Sequence, residues 1–295
     1  ILLRLIEDPC YQVPDGFVDA FRRALTDSAA DKSLLAEILT LPSESYLGDQ
    51  MEEVDVDAIH VARDKLMTIL AETLRGDLVA VYEASRGGAD YQPVAAEIGR
   101  RRLKNLCLGY LIKLDDRSSR ELCLDQYQTA RNMTDTLAAL GLLAASSAPE
   151  RVSVLENFYQ RWKDDALVLD KWFTVQAVSP RADTLQRVMA LTEHPAFSII
   201  NPNRVRSLVG AFCSGNPLRF HDPSGAGYRF LAQRVLELDP LNPQVAARLL
   251  RIMSRWRRYD PMRSELMRGE LQRVLSTQGL SRDVFEIACK SLQAD

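Results

Sequence analysis

A polar residue followed by proline recurs through the second half of this sequence. Ser179-Pro180, Asn201-Pro202, Asp222-Pro223, Asn242-Pro243 and Asp260-Pro261 set their prolines 22, 21, 20 and 18 positions apart. Each pair carries the chemistry of a helix start. A Ser, Asn or Asp side chain accepts from the free amides of the first turn, and proline at the first helical position gives up no needed donor. A second set, Pro195, Pro217 and Pro240, falls where each preceding helix must stop. The spacing predicts short helices of similar length, laid one after another. Helical stacks of this kind build concave surfaces more often than catalytic centres.

Composition agrees with a large helical core. Of 295 residues, 46% are hydrophobic and 26% charged, with a net charge of -3, ordinary values for a globular protein. The slight acidity favours neither nucleic acid nor membrane as a partner. No run approaches the roughly 20 apolar residues that span a bilayer. The opening Ile1-Leu2-Leu3-Arg4 has no initiator Met and no signal-peptide order, so the chain is expected to begin inside a longer protein. Cys10, Cys107, Cys123, Cys213 and Cys289 are odd in number and widely spaced, with no C-x-x-C. That pattern predicts reduced, buried thiols in a cytoplasmic protein rather than a disulfide framework.

Helical periodicity runs through the first half too. Phe17, Ala20, Phe21, Ala24 and Leu25 make one apolar stripe; Leu34, Leu35, Ile38 and Leu39 make the next, stopped by Pro42. The polar, acidic segment 43–57 reads as a surface loop. A long helix is expected over 56–84, ended by Gly87-Gly88, and Pro93 opens another that carries Ile98, Leu103, Leu106, Leu108 and Ile112. Ser118 with Glu121, and Ser147 with Glu150, have capping-box spacing. Met133, Leu137, Leu140 and Leu143 give a further apolar face. Residues 152–162 and 166–177 form a pair hinged at Lys163-Asp164-Asp165. No stretch alternates apolar and polar long enough for a strand. The segment 43–57 is too short and too early to separate two cores. The expectation is one all-α domain over 1–295, a superhelical, armadillo- or HEAT-like stack of paired antiparallel helices.

Catalytic signatures are missing. His60, His194 and His221 stand in no H-E-x-x-H, and no G-x-S-x-G elbow occurs. Cys213 and His221 could form a thiol–imidazole pair, but Cys213 continues the apolar run Leu208, Val209, Ala211, Phe212 and reads better as a small core residue. Gly225-Ala226-Gly227 lacks the third glycine and the preceding strand of a phosphate loop and reads as a turn between helices. Adjacent carboxylates such as Asp115-Asp116 and Asp164-Asp165 diverge on a helix and suit caps or solvated faces. The arginines from Arg248 to Arg273, interleaved with Trp256 and Tyr259, could line a nucleic-acid groove. Their spread over several helix faces favours a solvated surface laced with salt links. Arg204 and Arg206, two apart in a first helical turn, point in different directions, so one can hold a structural carboxylate while the other faces a cavity. Gln244 and Arg248 share a helix face at i and i+4. Arginine suits bidentate recognition of a peptide carboxylate.

At these residues the chain resembles a known family. The run NPNRVRSLVGAFCSGNPLRFHDPSGAGYRF (Asn201 to Phe230) is similar to the distal helical region of the bacterial aminopeptidase N family. So are DKWFTVQAVSP (Asp170 to Pro180), NMTDTLAALGLL (Asn132 to Leu143), LAEILTLPSE (Leu35 to Glu44) and NPQVAARLL (Asn242 to Leu250). The blocks keep the family's order and reach from about Phe17 to Leu292; residues 1–14 carry the resemblance least. The family is similar to the thermolysin-like zinc peptidases (gluzincins). Its members join a β-rich domain, a zinc-bearing catalytic domain, a small β-sandwich and a C-terminal helical superhelix.

The resemblance implies that this chain is the last of those domains. It would be non-catalytic in itself, and it would enclose the peptide chamber and limit access to it while the parent metallo-aminopeptidase removes N-terminal residues. The zinc would lie in the parent's catalytic domain, with none here. The partners implied are that catalytic domain and the peptide substrate, with no nucleic acid and no membrane. By the same resemblance the chamber-lining residues are Arg206, Gln244 and Arg248, and no residue is catalytic. The alternative is a free-standing helical scaffold that binds a protein or nucleic acid on its concave face.

Overall fold

The computed structural model describes residues 1–87 and 91–293. Among the described residues every regular element is helical. The chain divides into two compact units, Ile1–Leu47 with Asp57–Glu156, and Gly48–Val56 with Asn157–Asp295.

The first unit is organised around the Ala95–Leu111 helix, which packs against Lys32–Ile38, Arg75–Ala84, Arg117–Thr129 and Met133–Ala145. Leu103, Cys107, Leu108 and Leu111 face inward at a spacing that keeps them on one stripe, and all are buried. Gly99 permits the close crossing with Lys32–Ile38: a Cβ there would stand 2.8 Å from the backbone nitrogen of Ser33. Tyr110 packs edge-on against Phe21, with centroids 5.5 Å apart. Its hydroxyl donates to the Leu39 carbonyl at 2.7 Å, which satisfies a buried polar tip. Inside the same unit Lys104 donates to Asp135 at 2.6 Å. Asp135 also accepts from Asn105 and Asn132, so the buried carboxylate is fully paired.

Several sequence expectations are corrected here. The segment 43–57 is not all loop: Glu44–Asp49 is a helix, opened by the Ser43 hydroxyl accepting from Tyr46 N–H at 3.1 Å. The helix expected over 56–84 is two, Val56–Thr73 and Arg75–Ala84, with Leu74 at φ -109° between them. Gly87 follows the second helix; Gly88 lies outside the described residues. Neither capping box forms. Asp116, not Ser118, caps Arg117–Thr129 by accepting from Ser119 N–H, and Ser147 turns its hydroxyl to Asp115. A carboxylate accepts more strongly than a hydroxyl, which decides the first case. Leu34 and Ile38 are more than half exposed, so the stripe of their helix is carried by Leu35, Ala36 and Leu39. Cys10 is exposed and Cys289 half-buried; only Cys107, Cys123 and Cys213 are buried thiols.

In the second unit three of the five polar-proline pairs open helices as the spacing predicts. Asn201, Asn242 and Asp260 accept from first-turn amides at Pro202–Val205, Pro243–Leu250 and Pro261–Leu275. Asn216-Pro217, read as a stop, does the same for Pro217–Phe220. The other two pairs form turns instead. Thr184 starts its helix four residues after Pro180, with its hydroxyl on the Ser179 carbonyl. Asp222 accepts from Ser224 N–H, and the helix waits until Ala226. The hinge at Lys163-Asp164-Asp165 forms as read, Asp165 capping Ala166–Ala177. Residues 48–56 belong to this unit through Arg258. It donates to the carbonyls of Gly48, Met51 and Glu52, while Val54 N–H donates to the Arg258 carbonyl at 2.7 Å.

Candidate functional site

The string Asn201 to Arg206 separates structure from surface within one helical turn. Arg204 is 7% exposed. Its guanidinium pairs with Asp170, donates to the carbonyls of Ala166 and Ala196 at 3.0 and 3.1 Å, and lies 5.6 Å from the centroid of the Phe173 ring. Asp170 also accepts from the Ser207 hydroxyl. This buried, multiply bonded arginine ties Pro202–Val205 to Ala166–Ala177. Arg206 points the other way. It is exposed, held only by its own turn, with Nε on the Pro202 carbonyl at 3.2 Å and Nη2 on Asn203 Oδ1 at 2.7 Å. The helix widens to a π-turn over Arg206–Gly210, a device that re-aims side chains where it occurs.

Gln244 and Arg248 lie one turn apart on the exposed side of Pro243–Leu250. Ala246, Ala247, Leu249 and Leu250 bury its other face. Neither side chain has a hydrogen-bond or ion partner among the described residues. Gly210 comes near this helix, where a Cβ would stand 3.9 Å from Leu249 Cδ2. No hydrogen bond joins Arg206 to Gln244 or Arg248. A groove of about 480 Å³ elsewhere in the unit, lined by Leu185, Met189, Phe230, Arg229, Arg234 and Arg273, contains none of the three.

The remaining candidates resolve toward structure. Cys213 is buried and its thiol is pushed well above the usual range by burial. His221 is not its partner: the Nδ1 atom meets the Tyr228 hydroxyl at 2.9 Å, and the ring stacks on Tyr259 at 4.2 Å. Burial, with Arg263 adjacent, drives the His221 pKa down to about 3, so the imidazole is neutral at ordinary pH. Gly225, at φ 67°, makes the turn into Ala226–Leu238. Gly227 lets that helix touch the Phe220 carbonyl, 2.2 Å from where a Cβ would sit. Both glycines are therefore used by packing.

Most of the arginine run is likewise committed, Arg248 excepted. Arg255 pairs with Asp49 at 2.9 Å, Arg268 with Glu265, and Arg273 with Glu270. Arg257 grips the carbonyls of Ser291, Leu292 and Gln293, and Arg263 the His221 carbonyl and Asp260. Trp256 donates to the Ser291 carbonyl at 2.9 Å. Among the described residues no group of three His, Cys, Asp or Glu side chains could hold a metal, so these residues do not fit a zinc site. No helix among them is long and apolar enough to cross a membrane.

Comparison with known proteins gives a consistent picture. The chain is similar to the protein named Aminopeptidase N of Caulobacter vibrioides, 42% identical over 292 residues, 99% of this chain and 34% of that protein. With Aminopeptidase N of Escherichia coli the identity is 39% over 280 residues, 95% of this chain and 32% of that one. The chain thus spans about a third of the length of these curated relatives. Among solved structures, aminopeptidase A of Legionella pneumophila, in complex with aspartic acid, matches with a TM-score of 0.91 and 31% identity over 99% of this chain and 35% of that one. A family model described as a domain of unknown function, DUF3458_C, with ARM repeats covers residues 1–293. The chain belongs to this family of ARM-repeat domains and matches the C-terminal part of aminopeptidase N.

Proposed function

We propose that residues 1–295 act as one non-catalytic domain of a zinc-dependent aminopeptidase, walling the chamber in which peptides bind and limiting what enters it. The parent would remove N-terminal residues from peptides in the cytoplasm, with its zinc held in a catalytic domain of the same polypeptide. A helical wall around such a site excludes large folded substrates, and closing the site strengthens the electrostatic contacts inside it.

One observation carries the residue assignment. Among the described residues, Gln244 and Arg248 stand exposed and unpartnered on one helix face, whereas Arg204, Arg255, Arg257, Arg258 and Arg263 are spent on internal contacts. An unspent guanidinium beside an amide suits the carboxylate end of a peptide. Arg206, exposed on its π-turn and bonded within that turn to Pro202 and Asn203, adds a second, partly committed guanidinium. In the intact enzyme, Arg206→Ala and Arg248→Ala should each raise KM for a longer peptide roughly 3- to 10-fold. KM for a single-residue arylamide should hardly change. Equal effects on the two substrates would refute a role at the peptide's far end.

A further inference from the structure

The first unit holds a polar cleft that the peptidase reading leaves unused. It measures about 250 Å³ and opens where Arg75–Ala84, Ala95–Leu111, Arg117–Thr129 and the start of Met133–Ala145 converge. Its lining brings Arg86, Arg100, Arg101, Lys104 and Arg131 together around one carboxylate among the described residues, Asp135.

Most of this lining is already satisfied. Lys104 donates to Asp135 at 2.6 Å, and Asn132 and Asn105 complete that carboxylate. Tyr82 donates to Gln126, and Gln126 to Asn105 and to the Asp135 carbonyl. Arg100 grips Glu97 at 2.5 and 3.0 Å and the Ser85 carbonyl at 2.5 Å.

Arg101 is the exception. Its side chain is only 4% exposed, yet the nearest carboxylate oxygen, on Glu97, is 3.9 Å away. Among the described residues its fork makes a single hydrogen bond, to the Gln92 carbonyl at 3.3 Å. The Tyr91 ring lies 4.9 Å from its guanidinium carbon and steadies it without accepting a hydrogen bond. Its nitrogens are not among the fully buried, unpartnered atoms, so the spare N–H groups open onto the cleft, where a bound anion can accept from them.

We propose that this cleft binds a small oxyanion, the carboxylate or phosphate group of a small molecule, on the fork of Arg101, with Arg86 at its exposed side. The volume lies below the roughly 300 Å³ at which drug-sized pockets begin, which fits one charged group and little more. Arg86 is already held by Glu83 and Asp125 and adds field rather than a free fork.

The test is equilibrium binding of inorganic phosphate and, separately, of succinate to the intact protein at constant ionic strength. The variants are Arg101→Gln and, as a control in the same unit, the exposed Arg117→Gln. Saturable binding that weakens about tenfold in Arg101→Gln and is unchanged in Arg117→Gln supports the site. The tighter of the two probes then identifies the anion class. Absence of saturable binding, or equal weakening by both substitutions, overturns it. If Arg101→Gln fails to fold, Arg86→Gln serves in its place: a several-fold loss supports the site, and an unchanged affinity overturns it. None of these outcomes depends on peptidase activity.

Discussion

His221 sits between two tyrosines, with Arg263 donating to its carbonyl at 2.6 Å. Burial first, then Arg263, pushes its pKa from 6.5 to about 3, while Asp260 opposes the fall. The unfolded chain takes up a proton on this ring below about pH 6.5; the folded chain does not until about pH 3. Stability is therefore unaffected by this group above pH 6.5 and declines as pH falls from there toward 3, by up to about 1.4 kcal/mol per pH unit. His221→Gln keeps a hydrogen-bonding group near Tyr228 but cannot titrate. Its unfolding free energy, followed by urea titration from pH 7 to pH 4, should fall less steeply than that of the parent sequence, by as much as one proton's worth. Identical slopes would mean that the folded chain charges this histidine as readily as the unfolded one. The sequence offered His221 only as a partner for Cys213. Burial decided otherwise, and no local pattern announces that Tyr228 and Tyr259 will enclose the ring.

Among the elements, helix starts show how far local chemistry reaches. Asn201, Asn242 and Asp260 cap as their proline neighbours predict, because a cap needs only groups within a few residues of each other. The same local rule misled at Ser118, where Asp116 lies two residues upstream and accepts from Ser119 N–H at 2.8 Å. Arg75 pairs with Asp116 at 2.7 Å from another helix, a contact invisible to spacing. Asp116→Ala should therefore lower stability by about 1 kcal/mol. Ser118→Ala, which removes only an exposed hydroxyl held by Arg75 and Asp116, should cost no more than about 0.5 kcal/mol. Thermal unfolding of both variants checks the ranking, and a larger loss from Ser118→Ala would restore the capping box. Helix existence was legible almost throughout, since apolar periodicity is strong. The break at Leu74 was not, because 0% exposed Leu74 continues the apolar stripe across it. Nor was the Glu44–Asp49 helix, whose polar residues bury little. The cleft around Arg101 was equally hidden. It is assembled from four helices, and nothing in the local spacing of Arg100-Arg101-Arg102 sets Arg101 apart from its neighbours.

For the chain as a whole, the balance between 37 basic and 40 acidic residues gives a net charge of -3, and the structure shows where the basic groups are spent. A nucleic-acid groove needs guanidinium groups free to meet phosphates and aromatic faces free to stack. Here Arg255, Arg257, Arg258, Arg263, Arg268 and Arg273 hold carboxylates or carbonyls of their own chain. Trp256 lies under Arg257, with 4.2 Å between guanidinium carbon and ring centroid, and Tyr259 stacks on His221. Moving any one of these onto DNA would break an internal contact for each phosphate gained. Binding of a labelled single-stranded oligonucleotide, followed by fluorescence anisotropy, should therefore be weaker than roughly 100 μM near physiological salt. It should also change little as salt is lowered, because few counterions would be released. A dissociation constant well below that value, with a steep logarithmic dependence on salt, would show that the arginines leave their internal partners. The nucleic-acid form of the scaffold reading would then displace the chamber-wall role.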